Sequence, residues 1–378
     1  MPSLEEPDKN LRLTNLVLRN FRNHQEFSLK GLQGITILAG PNATGKTSVV
    51  EAIQLISALK SFRASQIGRA IRWGQTAASV IATIESDHRQ LDLQLRIEEG
   101  KRSYRLNGKA RRARDLRGLF PAVTFVPDDL GLAKGPSSAR RGALDDLGAQ
   151  ISKNFAMVQS DYTKLVRQKN QALRDEASDT VIDSIDEVLT LVGVQILSHR
   201  SVMIKRLLPY FQLYYERIAQ ANETADIQYI PCWNEENQTQ WTFEREECLA
   251  IFTSTLQQAR LQERLRRKSV VGPHADKVVF LINGHDAAHF ASQGQQRSLV
   301  LAYKLAEAAV IEETLNQRPI LLLDDVMSEL DHQRRDQFMS MIEEDIQIFI
   351  TTTNLEYFTD EIKEKALIQY LGGDNNEA

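Results

Sequence analysis

Gly40, Pro41, Asn42, Ala43, Thr44, Gly45, Lys46 and Thr47 spell G-x-x-x-x-G-K-[ST], a spacing whose chemistry is phosphate binding. The glycines let backbone N–H groups turn inward around phosphate oxygens. Lys46 reaches the terminal phosphates, and the Thr47 hydroxyl is placed to ligate Mg²⁺. An apolar run, GITILAG, precedes the loop, and Val49, Val50, Ile53, Leu55, Ile56 and Leu59 follow at mixed helical spacing. That strand–loop–helix setting adds the field of a helix N-terminus to the anion site. A chance match in a chain of this length has odds on the order of one in a hundred before the context is counted. Binding of a nucleotide with Mg²⁺ is the expectation.

A second set of chemical groups lies in RPILLLDDVMSELD at 318–331. Ile320 to Leu323 suit a strand buried on both faces, which delivers Asp324 and Asp325 at its C-terminal end, where open α/β sheets bind ligands. Asp324 is expected in the Mg²⁺ shell, and Asp325 is placed to orient or deprotonate an attacking water. Alone, two aspartates at a strand end read equally well as solvated turn residues. Beside a phosphate loop they supply the acidic partner that phosphoryl transfer needs.

A third set is SQGQQRSLVLAYKLAE at 292–307, where Ser292 and Gln295 have the S-x-x-Q spacing of a capping box. It marks a helix start whose first N–H groups are available to an anion, with Gly294 permitting close approach. In isolation, an ordinary capped helix is the simpler reading.

The elements that must carry these groups read as α/β. LRLTNLVLRNF and EFSLK are strand-like, LDLQLRI alternates with Leu91, Leu93, Leu95 and Ile97 on one face, and Asn107-Gly108 signals a hairpin. From 137 to about 265 the pattern is helical without a sustained heptad, so a compact helical domain is expected rather than a long coiled coil. Strand character returns at KVVFLINGHDA, RPILLLDD and IQIFITT. The implied organisation is an N-terminal part with the phosphate loop at 1–136, a helical insert at 137–268 and a C-terminal part at 269–378. The two α/β parts are expected to share one sheet.

The 378 residues are 42% hydrophobic and 25% charged, with a net charge of −4. That neither demands nor excludes a nucleic-acid partner, because binding needs a local basic patch. The strongest patch is 101–117, with Lys101, Arg102, Arg105, Lys109, Arg111 and Arg112 as candidate phosphate contacts; RLQERLRRK at 260–268 is a second. Cys232 and Cys248 are too few for a disulfide framework, which fits a reducing cytosol and a cytoplasmic protein. No apolar run is long enough to span a membrane, and the first ten residues read as a loose polar extension rather than a signal peptide. Trp73, Trp233, Trp241, His274 and His285 read as structural, and Tyr104 as hairpin packing.

GPNATGKT, SQGQQR and LLLDDVMSELD, in that order, resemble the heads of ABC-type DNA-repair ATPases, including the structural-maintenance-of-chromosomes proteins. A finer resemblance, to the bacterial RecF family, rests on NFRNH (20–24), SFRAS (61–65), RQKN (167–170), GPH (272–274) and FLING (280–284) as well. It covers about Leu11 to Leu371. The resemblance implies an ABC-type P-loop ATPase head with a helical second domain. It also implies ATP-driven pairing of two heads, with each nucleotide held between one phosphate loop and the partner's Ser292, Gly294 and Gln295. It implies binding of double-stranded DNA and junctions at gaps, cooperation with RecO and RecR in loading RecA, and roles in replication and the SOS response. By position it assigns Asp324 to Mg²⁺, Asp325 to the catalytic carboxylate, Asp331 to the partner contact, and Arg22 and Arg63 to basic positions near nucleotide and DNA. Three departures stand out. Ala275, Asp276 and Lys277 follow GPH where the family often has RDD, which implies a weaker role for that segment. Threonine replaces the phosphate-sensing histidine, with Thr352 the better alignment and Thr351 the other. No glutamine-bearing loop is evident, and the equivalent region is FVPDDL, 125–130. A nucleotide-binding subunit of an ABC transporter, or another SMC-like ATPase, is the competing reading; a transporter subunit places the signature closer to the phosphate loop and lacks the long helical insert.

Overall fold

The computed structural model describes residues 11–63, 66–86, 88–219, 223–234, 243–342 and 345–372. The N-terminal ten residues, Ala64 and Ser65 of the SFRAS motif, Trp241 and the final six residues lie outside these. The chain forms two compact units: Met1–Asp129 with Glu307–Ala378, and Leu130–Ala306.

The first unit holds two sheets. Strands β3 (Ile35–Ala39), β8 (Ala122–Phe125), β12 (Ile320–Asp324), β13 (Ile348–Thr352) and β14 (Leu367–Tyr370) form a five-stranded sheet in the order β14-β3-β13-β12-β8, and every pair is parallel. Four of these strands are buried along nearly their whole length, so continuous apolar runs rather than alternating ones encode them. Strands β1 (Arg12–Phe21), β2 (His24–Lys30), β4 (Ala77–Glu85), β5 (Gln90–Glu98), β6 (Lys101–Leu106) and β7 (Lys109–Arg111) form an antiparallel sheet in the order β2-β1-β4-β5-β6-β7. Here the alternation of LDLQLRI turns Leu91, Leu93, Leu95 and Ile97 into the core. The Asn107-Gly108 turn has positive φ at both residues, as a tight hairpin requires.

Helix α1 (Lys46–Ser57) touches strands of both sheets and is buried almost throughout. Its polar residues are therefore matched individually. Gln54 donates to Thr124 Oγ1 at 3.0 Å and accepts from the Phe62 N–H at 2.8 Å. Glu51, fully buried, accepts from Arg22 at 2.6 and 2.8 Å and from Ser61 at 2.5 Å. Short α2 (Ala113–Leu116) follows the β6–β7 hairpin.

The second unit contains α3 (Gly131–Lys134), α4 (Ser137–Ile151), α5 (Lys153–Arg174), α6 (Asp179–Ala219), α7 (Arg245–Arg266) and α8 (Ala287–Phe290). It also holds a three-stranded sheet of β9 (Ala225–Ile230), β10 (Lys277–Ile282) and β11 (His285–Asp286). Helix α9 (Gln293–Leu315) begins in this unit and ends in the first, which is completed by α10 (His332–Ser340) and α11 (Asp360–Lys365).

Two expectations change. The α/β parts do share one sheet, in which β3 and β8 of the first pair with β12, β13 and β14 of the second, but β10 pairs instead with β9, a strand inside the supposedly helical insert. The unit boundaries consequently fall at 129/130 and 306/307 rather than 136/137 and 268/269, because residues 269–306 pack with the helices. Among the described residues no long coiled coil forms; α6, at 41 residues, packs against α5 and α7.

The second unit is held by buried charge. Lys169 of the RQKN motif lies 2.6 Å from both Asp186 and Glu263, joining α5, α6 and α7. Arg200 makes a two-pronged pair with Asp145 at 2.8 and 2.7 Å. Asp276 is wholly buried and accepts from the Tyr229 hydroxyl and from the Cys232 N–H at 2.8 Å. The aspartate retained after GPH is therefore a structural hub of this unit. His274 sets Nδ1 2.7 Å from the Tyr162 hydroxyl, and burial holds its pKa below the usual histidine value, so it is a packed neutral imidazole.

Candidate nucleotide site and basic surface

Strand β3 ends at Ala39 and the loop 40–45 turns through positive φ at Gly40, Ala43 and Gly45 before α1 begins. At Gly45, φ is 103° and a Cβ would sit 2.4 Å from His24 Nε2, so only glycine fits. His24 donates its Nε2–H to the Gly45 carbonyl at 3.1 Å, and burial keeps the ring's pKa low. The imidazole thus fixes the last turn of the loop from the end of the antiparallel sheet.

Lys46 is buried and curls back on the loop, donating to the carbonyls of Gly40 at 2.6 Å and Pro41 at 2.7 Å. Burial lowers its pKa, and the nearby charges of Asp325 and Asp324 oppose that shift. The Thr47 hydroxyl bonds the Asp324 carboxylate, whose pKa is raised by burial despite this bond and one from Thr351.

Strand order explains the next contact. β13 lies between β3 and β12, so its C-terminal end faces both the phosphate loop and the acidic strand end. Thr351 is in register with Asp324 on one side and Leu38 on the other. Its hydroxyl donates to Asp324 Oδ1 at 2.8 Å and accepts from the Asp325 N–H at 2.9 Å. One side chain therefore fixes both aspartates. Asp325 has φ 55°, a left-handed conformation costing a non-glycine residue about 1–2 kcal/mol; its bond to Thr351 anchors that turn. Burial also raises the Asp325 pKa, with Lys46 opposing, which makes its carboxylate a stronger base than a free aspartate.

Of the two threonines, it is Thr351 that lines the cleft. Thr352 is turned away to close the loop after β13, donating to the Asn354 carbonyl at 2.8 Å. Residues 125–130 do not line this cleft. Asp331 caps α10, accepting from the Arg334 N–H at 2.9 Å.

The cleft has a volume of about 520 Å³ and is lined by Asn42, Ala43, Gly45, Lys46, Thr47, Asp325 and Thr351, by Asn23 and Ser48, and by Arg22, Arg63 and Arg69. Arg22 is committed to Glu51 and to the Arg69 carbonyl at 2.9 Å. Arg63, half-exposed and 4.0 Å from Glu51, belongs to this cleft rather than to the hairpin patch. Trp73 also lines it, and this residue overturns the structural reading given to it: the side chain is 97% exposed. Trp233, by contrast, packs on Phe252 at 5.5 Å. Ser48, Arg69, Ile71 and Trp73 line the cleft without belonging to any of the motifs, and Thr351 is the second of the two alignments for the sensing position.

The donor set suits Mg-nucleotide. A buried lysine bonded only to loop carbonyls, a hydroxyl held on a buried carboxylate and a run of left-handed loop residues are what a triphosphate and its metal require. Among the described residues no cluster of histidine, cysteine, aspartate and glutamate forms any other metal site.

The signature stretch lies in the other unit. Its capping box is formed: Gln295 Oε1 accepts from the Ser292 N–H at 2.8 Å and Ser292 Oγ accepts from the Gln295 N–H at 3.3 Å. Gln295 also donates to Glu223 Oε1 at 2.8 Å, and Glu223 accepts from Tyr215 at 2.8 Å.

The two basic stretches diverge. In the hairpin, Lys101, Arg105, Lys109, Arg111 and Arg112 are exposed with no acidic partner among the described residues. Arg102 is the exception: it donates to the Leu59 carbonyl at 2.7 Å and so closes the loop after α1. Tyr104 is core. On α7, Arg260 bonds Asp183 at 2.6 Å and Asp186 at 3.0 Å, Arg264 bonds Asp179 at 2.6 Å, and Arg267 bonds Glu176 at 3.0 Å. Three of the cations of that stretch, Arg260, Arg264 and Arg267, are thus charge-paired. No helix among the described residues is long and apolar enough to cross a membrane.

The family described as RecF/RecN/SMC N terminal domain matches residues 12–370. The DNA replication and repair protein RecF of Rippkaea orientalis is 37% identical over 92% of this chain and 94% of its own length. That of Geobacillus thermodenitrificans is 33% identical over 94% and 96%. The solved structure of the recombination mediator protein RecF with ATP superposes with a TM-score of 0.84 at 27% identity, covering 94% of this chain and 95% of that one. An Smc head domain from Pyrococcus furiosus shares the fold alone, with a TM-score of 0.51 at 14% identity.

Proposed function

This chain belongs to the RecF family of RecF/RecN/SMC-type ATPases, and on that footing we propose that it is an ATP-switched clamp on DNA in recombinational repair. ATP drives two copies together, with each nucleotide held between the phosphate loop of one and Ser292, Gly294 and Gln295 of the other. The paired form binds double-stranded DNA and the single/double-strand junctions at gaps through the exposed cations of the 101–112 hairpin. There it assists RecO and RecR in loading RecA and supports replication and the SOS response. The observation that carries this reading is the Thr351 hydroxyl joining Asp324 and Asp325 in a cleft shared with Lys46 and Thr47.

In the working site, Gly40 to Thr47 cradle the phosphates. Lys46 exchanges its two carbonyl partners for terminal phosphate oxygens, so its buried charge is never left unpaired. Thr47 and Asp324 would hold Mg²⁺, which would supply neutralisation of charge on the terminal phosphates. Asp325 orients the attacking water and takes its proton, the raised pKa favouring that transfer. Its side chain is one methylene shorter than the glutamate of most ABC-type heads, and a threonine hydroxyl replaces a histidine. Turnover is accordingly slow, on the order of one per minute or less, below the usual enzyme range. Hydrolysis then serves as the reset of a switch.

The test is to size the protein with and without ATP and with gapped DNA, in wild type and Ser292→Arg. Wild type should dimerise only with ATP, and Ser292→Arg should bind ATP as a monomer without pairing. Equal loss of ATP binding and pairing would place the signature on the wrong side of the interface.

A further inference from the structure

We infer that Trp73 is the stacking platform for the base of the bound nucleotide; this rests on the nucleotide reading of the cleft and extends it to the nucleoside end. A tryptophan normally buries about 150–250 Å² of surface, yet Trp73 is 97% exposed. It is not on a loose segment. Gln75 closes a turn on the Arg72 carbonyl at 3.0 Å, Arg72 donates to the Asn20 carbonyl at 2.8 Å, Ile71 bridges Phe21, and Arg22 donates to the Ala70 carbonyl at 2.7 Å. The backbone just before the indole is thus tied to the end of β1, a turn closes the backbone behind it onto Arg72, and the ring is presented on a fixed mount.

The rest of the cleft decides what the ring meets. Lys46, Thr47, Asp325 and Thr351 are matched to phosphate, metal and water, and three arginines and two asparagines line the remaining walls. Among the described residues, Ile71 and Trp73 are the only large apolar side chains lining it. A nucleoside triphosphate has one planar, apolar-faced part, its base, and this is the one surface of the cleft that complements it. Stacking on an indole face tolerates base identity, because every base has a π-face. Trp73 therefore contributes affinity for the nucleoside without reading the edge of the base.

The experiment measures equilibrium binding of ATP and of inorganic tripolyphosphate, both with Mg²⁺, to the full chain and to Trp73→Ala, Trp73→Phe and Lys46→Ala. Trp73→Ala should weaken ATP binding about 10–100-fold, the span that base–aromatic stacking gives, and leave tripolyphosphate binding unchanged. Trp73→Phe should restore ATP affinity to within about threefold, since a phenyl face still stacks. Lys46→Ala should weaken both ligands. Unchanged ATP affinity in Trp73→Ala overturns the assignment, whether or not ATP-driven dimerisation is lost with it. Equal loss of both ligands overturns it too, by showing that the indole supports the loop instead. If wild type binds neither ligand, the nucleotide reading itself fails, a result distinct from either.

Discussion

Lys46 and Lys169 are both buried lysines close to two acidic residues, one in each unit, and they are satisfied in opposite ways. Lys169 has Asp186 and Glu263 at 2.6 Å each, so its charge is matched inside the fold and nothing from outside is needed. Lys46 leans on two backbone carbonyls, while Asp324 and Asp325 act on it only through space. Carbonyls are acceptors that a phosphate can replace; a pair of buried carboxylates is not. The same contrast separates the surfaces: Arg260 and Arg264 of α7 are paired with α6 acids, whereas the side chains of Lys101, Arg105, Lys109 and Arg111 have no acidic partner among the described residues. Saturated charge builds this protein and unsaturated charge equips it.

The sharpest break of that comparison is a pair of deletions. Lys169→Ala leaves two buried carboxylates facing each other and should cost about 3–5 kcal/mol of folding stability, read by urea unfolding, with ATP affinity of the folded protein unchanged. Lys46→Ala should do the reverse, shifting stability by less than about 1 kcal/mol because only loop carbonyl bonds are lost, while ATP affinity falls steeply. A Lys169→Ala variant as stable as wild type would dissolve the distinction.

A smaller effect is expected at Thr351. Thr351→Val removes the donor to Asp324 and strands the Asp325 N–H, so both carboxylates lose their alignment. Single-turnover hydrolysis should slow about 10-fold or more, the scale of one misplaced polar group at a reacting centre, with ATP affinity nearly preserved. A matched drop in affinity and rate would instead make Thr351 a binding residue.

The smallest effects come from the arginines. Arg105→Glu should weaken duplex binding several-fold at low salt and flatten its salt dependence. Arg264→Glu should leave DNA binding alone and cost at most about 1 kcal/mol of stability, the scale of an exposed pair. Fluorescence anisotropy across a salt series decides between them, and equal DNA defects would mean that both basic stretches touch the duplex.

What the sequence reveals is local. The phosphate loop, the acidic strand end and the Ser292–Gln295 capping box are each written within a few residues, and each forms as its spacing implies. What it conceals depends on partners distant in the chain. Thr351 matters because β13 lies between β3 and β12, an order no stretch of residues states. ADIQYI becomes a strand because KVVFLI pairs with it, and that pairing draws 269–306 into the second unit. Arg260 and Arg264 look as free in sequence as Arg105 until α6 brings acids beside them. Trp73 reads as structural in sequence because large apolar residues default to the core, and only its position in space shows that it is not there.

The capping box at Ser292 carries a count of its own. The Gln295 N–H is taken by Ser292 Oγ, and the Gln296 N–H by the Ser292 carbonyl. Of the four amides that open α9, this leaves Gln293 and Gly294, neighbours pointing along the helix axis without an acceptor among the described residues. Two adjacent donors match two oxygens of one phosphoryl group. The end of α9 thus has a valence of two, fixed by its own cap before any ligand arrives.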